Sequence, residues 1–249
     1  MMRAERLLTG LCLLLCAFIA QAAEDRALFW EVRSETTHIY LLGSIHVAND
    51  SFYPLREDIV DAYADSERLV VEIDAEAIEP VRYLSLVTRY GRYPQGISVS
   101  NQVAPDTYRR LVEVLQGYGL PADSMDSVRP GMIAMDLTSL VLVRMGYSPE
   151  SGIDLHFIRR ARSDGKAVVP LETLEQQLKL FAGLPHSDVV LIDTLDELGQ
   201  ARELMAELEQ AWKSGDVELL ERMFITEPEQ EYREYRDINE LLLYQRNRA

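Results

Sequence analysis

Three short segments place residues with hydrolytic or metal-binding chemistry at the ends of apolar runs. In Leu41-Leu42-Gly43-Ser44-Ile45-His46, a strand-like run meets a glycine and a histidine follows just past its end. In open α/β sheets, ligands collect beyond the carboxyl ends of the strands. A histidine that only caps its own loop is the alternative. Glu72 is expected inside the strand Leu69–Ile73, between Val71 and Ile73. An ionised carboxylate there is costly unless it pairs with a buried arginine or binds a metal. Glu172 ends a third candidate strand, Val168-Val169-Pro170-Leu171-Glu172, so three strand ends would deliver His46, Glu72 and Glu172 to one face. Imidazole and carboxylate without cysteine suit zinc, manganese, iron or cobalt better than copper(I).

The elements that must position these residues follow from the pattern. Phe29–Arg33 and His38–Gly43 predict a hairpin around Ser34-Glu35-Thr36-Thr37. Pro54 is expected to open a helix with Ile59, Ala62 and Tyr63 on one side, and Arg68–Asp74 reads as a compact strand. Residues 79–161 are mostly helical, with Met132–Arg144 apolar on nearly every face and expected to be buried. Ala167–Leu171 is the third core strand, and Thr173-Leu174-Glu175-Gln176 is a capping-box pattern that starts a helix. From Asp188 the pattern is helical almost to the end. Strands interleaved with helices indicate an α/β or α+β fold.

Further histidines have plainer readings. His38 begins a strand and faces solvent, and His156 sits in an amphipathic helix beside Arg159 and Arg160, where packing is expected. Gly183-Leu184-Pro185-His186 follows one helix and precedes another, so it reads as a helix–helix turn. Asp74 and Asp154 could orient an imidazole or an arginine.

The chain has 249 residues, with 25 Lys+Arg against 41 Asp+Glu and a net charge of -16, which argues against nucleic-acid binding. Residues 196–237 hold 13 acidic and 5 basic side chains and read as a solvated helical face. Arg3 and Arg6 precede the apolar run Leu11–Ala20, and Ala20-Gln21-Ala22 is a small-x-small cleavage pattern. Residues 1–22 are therefore expected to be a signal peptide and residues 23–249 a single domain, exported to the periplasm or secreted. Cleavage would leave 227 residues (249 less 22) with a charge of -17 and no thiol, because Cys12 and Cys16 fall in the leader. No later segment approaches membrane-spanning length, so no stable span is expected after cleavage.

Taken together, L-F-W-E-V at 28–32, H-I-Y-L-L-G-S-I-H at 38–46, L-V-V-E-I-D at 69–74, G-I-D-L-H at 152–156 and L-E-T-L-E-Q-Q at 171–177 resemble the TraB/GumN family. That family is related to the Tiki proteases and, more distantly, to ChaN-like and erythromycin-esterase-like proteins. The resemblance implies a central mixed β-sheet surrounded by many helices and a metal-dependent hydrolase site. It places the family's G-x-x-H on Gly43–His46, its strand glutamate on Glu72, its Leu-Glu-Thr on Leu171–Thr173 and its Arg-Asn pair on Arg246-Asn247. His46 and Glu72 would hold a divalent metal such as Zn, Mn or Co, with His46, Glu72 and Glu172 catalytic. Gly43, Ser44, Asp74, Asp154, Arg246 and Asn247 would bind substrate or orient these groups. Glu72 as general base, and a metal-free site in which His46 deprotonates water and Glu72 orients it, remain open. Family members usually run on to a strand with a second G-x-x-H, whereas this sequence stops at Arg248-Ala249, so one expected ligand is missing and the chain reads as truncated or a natural short form. The implied substrate is a peptide or another small extracellular molecule, and the rival is a non-catalytic protein that sequesters a peptide or saccharide.

Overall fold

A computed structural model describes residues 27–246. The expected leader 1–22 and Asn247 lie outside the described residues. The first strands, β1 (Phe29–Arg33) and β2 (His38–Leu42), pair antiparallel from Phe29↔Leu42 to Arg33↔His38. Ser34 closes their turn, its Oγ accepting from the amides of Thr36 and Thr37 at 3.3 and 3.0 Å. The hairpin is therefore as the sequence predicts.

Helix α1 spans Glu57–Asp65, so it starts three residues later than Pro54 suggested. Tyr53 is extended (φ -117°, ψ 149°), as a residue before proline must be, and the chain turns helical only after Arg56. Strand β3 (Arg68–Val71) follows at once, then helices α2 (Pro80–Gly91), α3 (Pro105–Gly117), α4 (Pro130–Arg144) and α5 (Ile153–Ser163). Prolines open α2, α3 and α4, where a missing N–H costs nothing. Strand β4 (Ala167–Pro170) then pairs parallel with β3, from Arg68↔Ala167 to Val71↔Pro170. Lys166, just before β4, donates from Nζ to the carbonyls of Tyr63, Ala64 and Ser66 at 2.6, 2.9 and 2.5 Å, capping the end of α1.

Helices α6 (Leu174–Ala182), α7 (Ser187–Glu197) and α8 (Ala201–Ser214) complete the ordered core. The capping box at the start of α6 is present, with Thr173 and Gln176 bonded reciprocally. His186 stands in the left-handed turn between α6 and α7 (φ 48°), the helix–helix turn expected there. Short α and π turns carry the chain from Val217 to Gln245. The described residues thus form a mixed helix-and-strand fold of the α/β or α+β class, 62% helical and 10% strand. Its described strands form two separate two-stranded ladders, β1–β2 and β3–β4.

The apolar interior divides likewise. Ile45, Phe52, Ile59, Ile153, Phe157 and Trp212 belong to one cluster, built around the hairpin, α1, α5 and α8. Leu86, Leu111, Leu115, Ile133, Leu137 and Leu191 belong to the other, between α2, α3, α4 and α7. In α4, Met132, Ile133, Leu137 and Val141 are buried, but Met135 and Val143 face solvent, so the helix is covered on fewer sides than its composition suggested.

Candidate active site

His46 is positioned by close backbone approaches on either side of it. Gly43 donates to Leu28 O at 2.7 Å, and a Cβ at Gly43 would lie 2.8 Å from Leu28 Cβ. The Gly43 carbonyl accepts from Trp212 Nε1 at 2.7 Å, fixing the exit of β2 against α8. Ile45 then plugs into the core, 7% exposed, and its carbonyl accepts from the Ile153 amide at 2.8 Å. That bond sets the start of α5 against the His46 segment. A Cβ at Gly152 would sit 2.5 Å from the His46 carbonyl oxygen, so only glycine allows the approach.

The consequence is that Asp154, in the first turn of α5, meets the imidazole. Asp154 Oδ2 lies 2.9 Å from His46 Nδ1, while the ring stays open to solvent with its side chain 59% exposed. An ionised carboxylate in this position holds the proton on Nδ1 and leaves the Nε2 lone pair outward, the tautomer a base or a metal ligand needs. The bond to Asp154 raises the His46 pKa above its usual value. Burial opposes this, the charges of Asp154 and Glu72 add to it, and Arg246 subtracts from it. The other Asp154 oxygen, Oδ1, is buried with no hydrogen-bond partner among the described residues. The positive end of α5 offsets part of that cost.

The parallel ladder supplies the carboxylates. Its hydrogen bonds run past the last strand residues, with Leu171 N–H to Val71 O at 2.9 Å and Glu172 N–H to Glu72 O at 2.8 Å. These bonds continue the Val71↔Pro170 register, which sets Leu171 opposite Glu72 and carries Glu172 one residue further on. Between them lies Arg246, donating from Nε to Glu172 Oε1 at 2.7 Å and from Nη2 to Glu72 Oε2 at 2.6 Å. Gln177, one turn into α6, donates to the same Glu72 oxygen at 3.2 Å. The charges of Glu72 and Arg246 both reach His46, so these groups and the Asp154–His46 pair form one electrostatic unit.

One expectation needs correction. Glu72 does not lie inside a strand, because β3 ends at Val71, and its side chain is 46% exposed. Its cost is relieved by solvent and by Arg246, as in the ion-pair alternative, although the arginine comes from the C-terminal helical turns. The other expected residues fall as follows. Gly43 is structural and Ser44 is exposed. Asp74 orients an arginine, accepting from Arg162 Nη2 at 2.8 and 2.9 Å. His38 is exposed on the hairpin, 4.0 Å from Glu31. His156 packs on Tyr53 and Phe157, with ring centroids 5.4 and 5.1 Å away, and burial followed by the Arg160 charge lowers its pKa. Gln177 went unrecognised, although the capping box at Thr173 fixes where the first turn of α6 faces and could have indicated it.

As a metal centre the arrangement is half made. His46 Nε2 and the Glu72 carboxylate are suitable donors. No group of three or more His, Cys, Asp or Glu side chains able to hold a metal gathers among the described residues. Arg246 already pairs with both glutamates and offsets one of their two charges, so a divalent ion would compete with a guanidinium and need donors beyond these residues.

The TraB/PrgY/gumN family model matches residues 28–249. The protein designated YbaP, described as uncharacterized, from Escherichia coli (strain K12) is 26% identical over 157 residues, covering 63% of this chain and 56% of that one. An uncharacterized protein of Treponema pallidum (strain Nichols) is 21% identical over 179 residues, covering 70% and 52%. The chain thus spans about half the length of the curated relatives it matches. No solved structure matches it. With His46, Glu72, Glu172 and Arg246 all inside the matched span, the chain belongs to the TraB/PrgY/gumN family.

Proposed function

We propose that this chain is an exported hydrolase acting on peptide bonds, with His46 at its centre. The observation that carries the reading is the 2.9 Å Asp154–His46 pair, which leaves an exposed imidazole edge beside a carboxylate–guanidinium cluster. In the proposed reaction, His46 Nε2 removes a proton from water and the resulting hydroxide attacks the substrate carbonyl. Asp154 stabilises the imidazolium, which then gives its proton to the departing amine. Arg246 has Nη1 unengaged by any described group, and its N–H donors suit the developing oxyanion. Glu72, held by Gln177 and Arg246, orients the attacking water. If a divalent ion (Zn, Mn or Co) is bound, His46 Nε2 and Glu72 would hold it, and it would supply a water acidified to a pKa of about 7.

The test is peptide hydrolysis by the full chain and by His46→Ala and Glu72→Ala, with and without a chelator. Loss of the base should cost about 10²–10⁴-fold in rate. Hydrolysis that survives both substitutions excludes this site, and hydrolysis that survives chelation excludes the metal-dependent form. A second reading, a non-catalytic protein that captures a peptide or saccharide, is favoured by the tie between Arg246 and both glutamates. Under it, the same substitutions change ligand capture while no variant turns substrate over.

A further inference from the structure

Behind the turn that carries Asp154 lies an open cleft of about 590 Å³, lined among others by Asp50, Tyr53, Glu150, His156 and Arg159. It shares helix α5 with Asp154, through His156 and Arg159. Tyr53 donates from its hydroxyl to the Ser151 carbonyl at 2.8 Å, Asp154 lies three residues further on, and the Asp154 charge reaches the Tyr53 ring. The charges in the cleft are unequal. Arg159 is committed on two sides, to Glu76 at 2.8 Å and to Glu150, which leaves the Asp50 carboxylate without an ion pair among the described residues. Tyr53 and His156 add two packed rings, 5.4 Å apart. Burial, and then the Arg160 charge, lower the His156 pKa, which disfavours a positive ring beside a bound cation.

An uncompensated carboxylate next to aromatic rings favours a cation on an apolar stem, because the charge gains from the carboxylate and the ring faces while the methylenes cover Tyr53 and Pro54. We infer that this cleft is a specificity subsite for a basic side chain, lysine or arginine, of a peptide whose scissile bond lies at His46. The inference rests on the hydrolase reading for its substrate, but its binding chemistry can be measured without turnover.

The experiment titrates the full chain with Nα-acetyl-lysine N-methylamide and its uncharged counterpart Nα-acetyl-norleucine N-methylamide, following the ring signals of Tyr53 and His156 by NMR. The lysine probe should bind about tenfold more tightly than the norleucine probe, and Asp50→Asn should remove about threefold of that preference. Tyr53→Leu, which keeps the apolar bulk, should weaken the lysine probe and leave the norleucine probe nearly unchanged. Equal binding of the two probes, or a neutral disaccharide that moves the same signals at comparable affinity, overturns the inference. A chain that binds the lysine probe but cleaves no peptide loses the hydrolase reading and keeps the subsite. A chain that cleaves lysyl and norleucyl peptides alike and binds neither probe loses the subsite and keeps the hydrolase.

Discussion

Replacing Gly152 with alanine should dismantle the site without replacing a titratable group. The glycine has φ -56° and ψ 141°, angles alanine adopts freely, so backbone preference contributes nothing to the cost. What matters is space. The new Cβ would stand 2.5 Å from His46 O, 3.0 Å from His46 C and 2.9 Å from Asp154 Oδ1, where ordinary contact begins at 3.4 Å. The worst overlap is therefore about 0.9 Å against backbone atoms, which cannot rotate away as a side-chain tip could. Relief requires the start of α5 to withdraw, stretching the 2.8 Å bond from the Ile153 amide to Ile45 O. Overpacking costs about 1–3 kcal/mol and the lost hydrogen bond about 1 kcal/mol, so a destabilisation of about 2–4 kcal/mol is expected. For a chain of this size that lowers the melting temperature by about 4–16 °C. Gly117, the last residue of α3, has nothing within 4 Å of the methyl that alanine would add there, and Gly117→Ala should stabilise by about 0.4–1 kcal/mol. Circular dichroism melts of both variants, with a proton NMR titration of His46, test the reasoning. The His46 pKa should fall in Gly152→Ala as Asp154 is drawn off the ring. A Gly152→Ala protein as stable as Gly117→Ala, with an unchanged His46 titration, would falsify the close approach that the site depends on.

Asp154→Asn should lower the His46 pKa, because the bond to Asp154 is the largest cause of its elevation, and should reduce any hydrolysis by about 10–100-fold. The acid limb of the residual pH–rate profile then moves to lower pH. Since the folded His46 pKa is raised, its contribution to stability is complete below the unfolded value of about 6.5 and disappears as pH rises through the folded value. His46→Ala should therefore flatten stability over that window in denaturant titrations at stepped pH. Arg246→Met breaks two partly buried ion pairs and should cost about 1–2 kcal/mol, and Arg246→Lys should restore less than half, since an ammonium cannot fork between Glu72 and Glu172. Glu197, in α7, has its pKa raised to about 7 by burial and then by Asp193, Glu231 and Asp196, so its ionisation weakens the fold as pH rises from 4.5 through 7. Glu197→Gln should thus stabilise the protein at pH 8 by a few tenths to about 1 kcal/mol and have no effect near pH 4.5, as read from melting temperatures at the two pH values.

The local chemistry of the chain was legible in its sequence. The hairpin, the capping box at Thr173 and the turn at His186 each follow from a few neighbouring residues, because turn closure and capping are short-range effects. The strand ends bearing His46, Glu72 and Glu172 could be read for the same reason, and the family motifs could be read in order along the chain. What tertiary structure decided is which of these groups meet. Asp154 is 108 residues from His46 and Arg246 is 174 from Glu72, and no periodicity encodes contacts at such separation. They depend on the parallel ladder that brings the Glu72 and Glu172 segments to one end of β3 and β4, and on glycines at 43 and 152 where a Cβ would collide with Leu28 and with the His46 backbone. Only the folded chain shows that Glu72 answers to a guanidinium and His46 to a carboxylate, because partner choice is settled by packing over the whole chain.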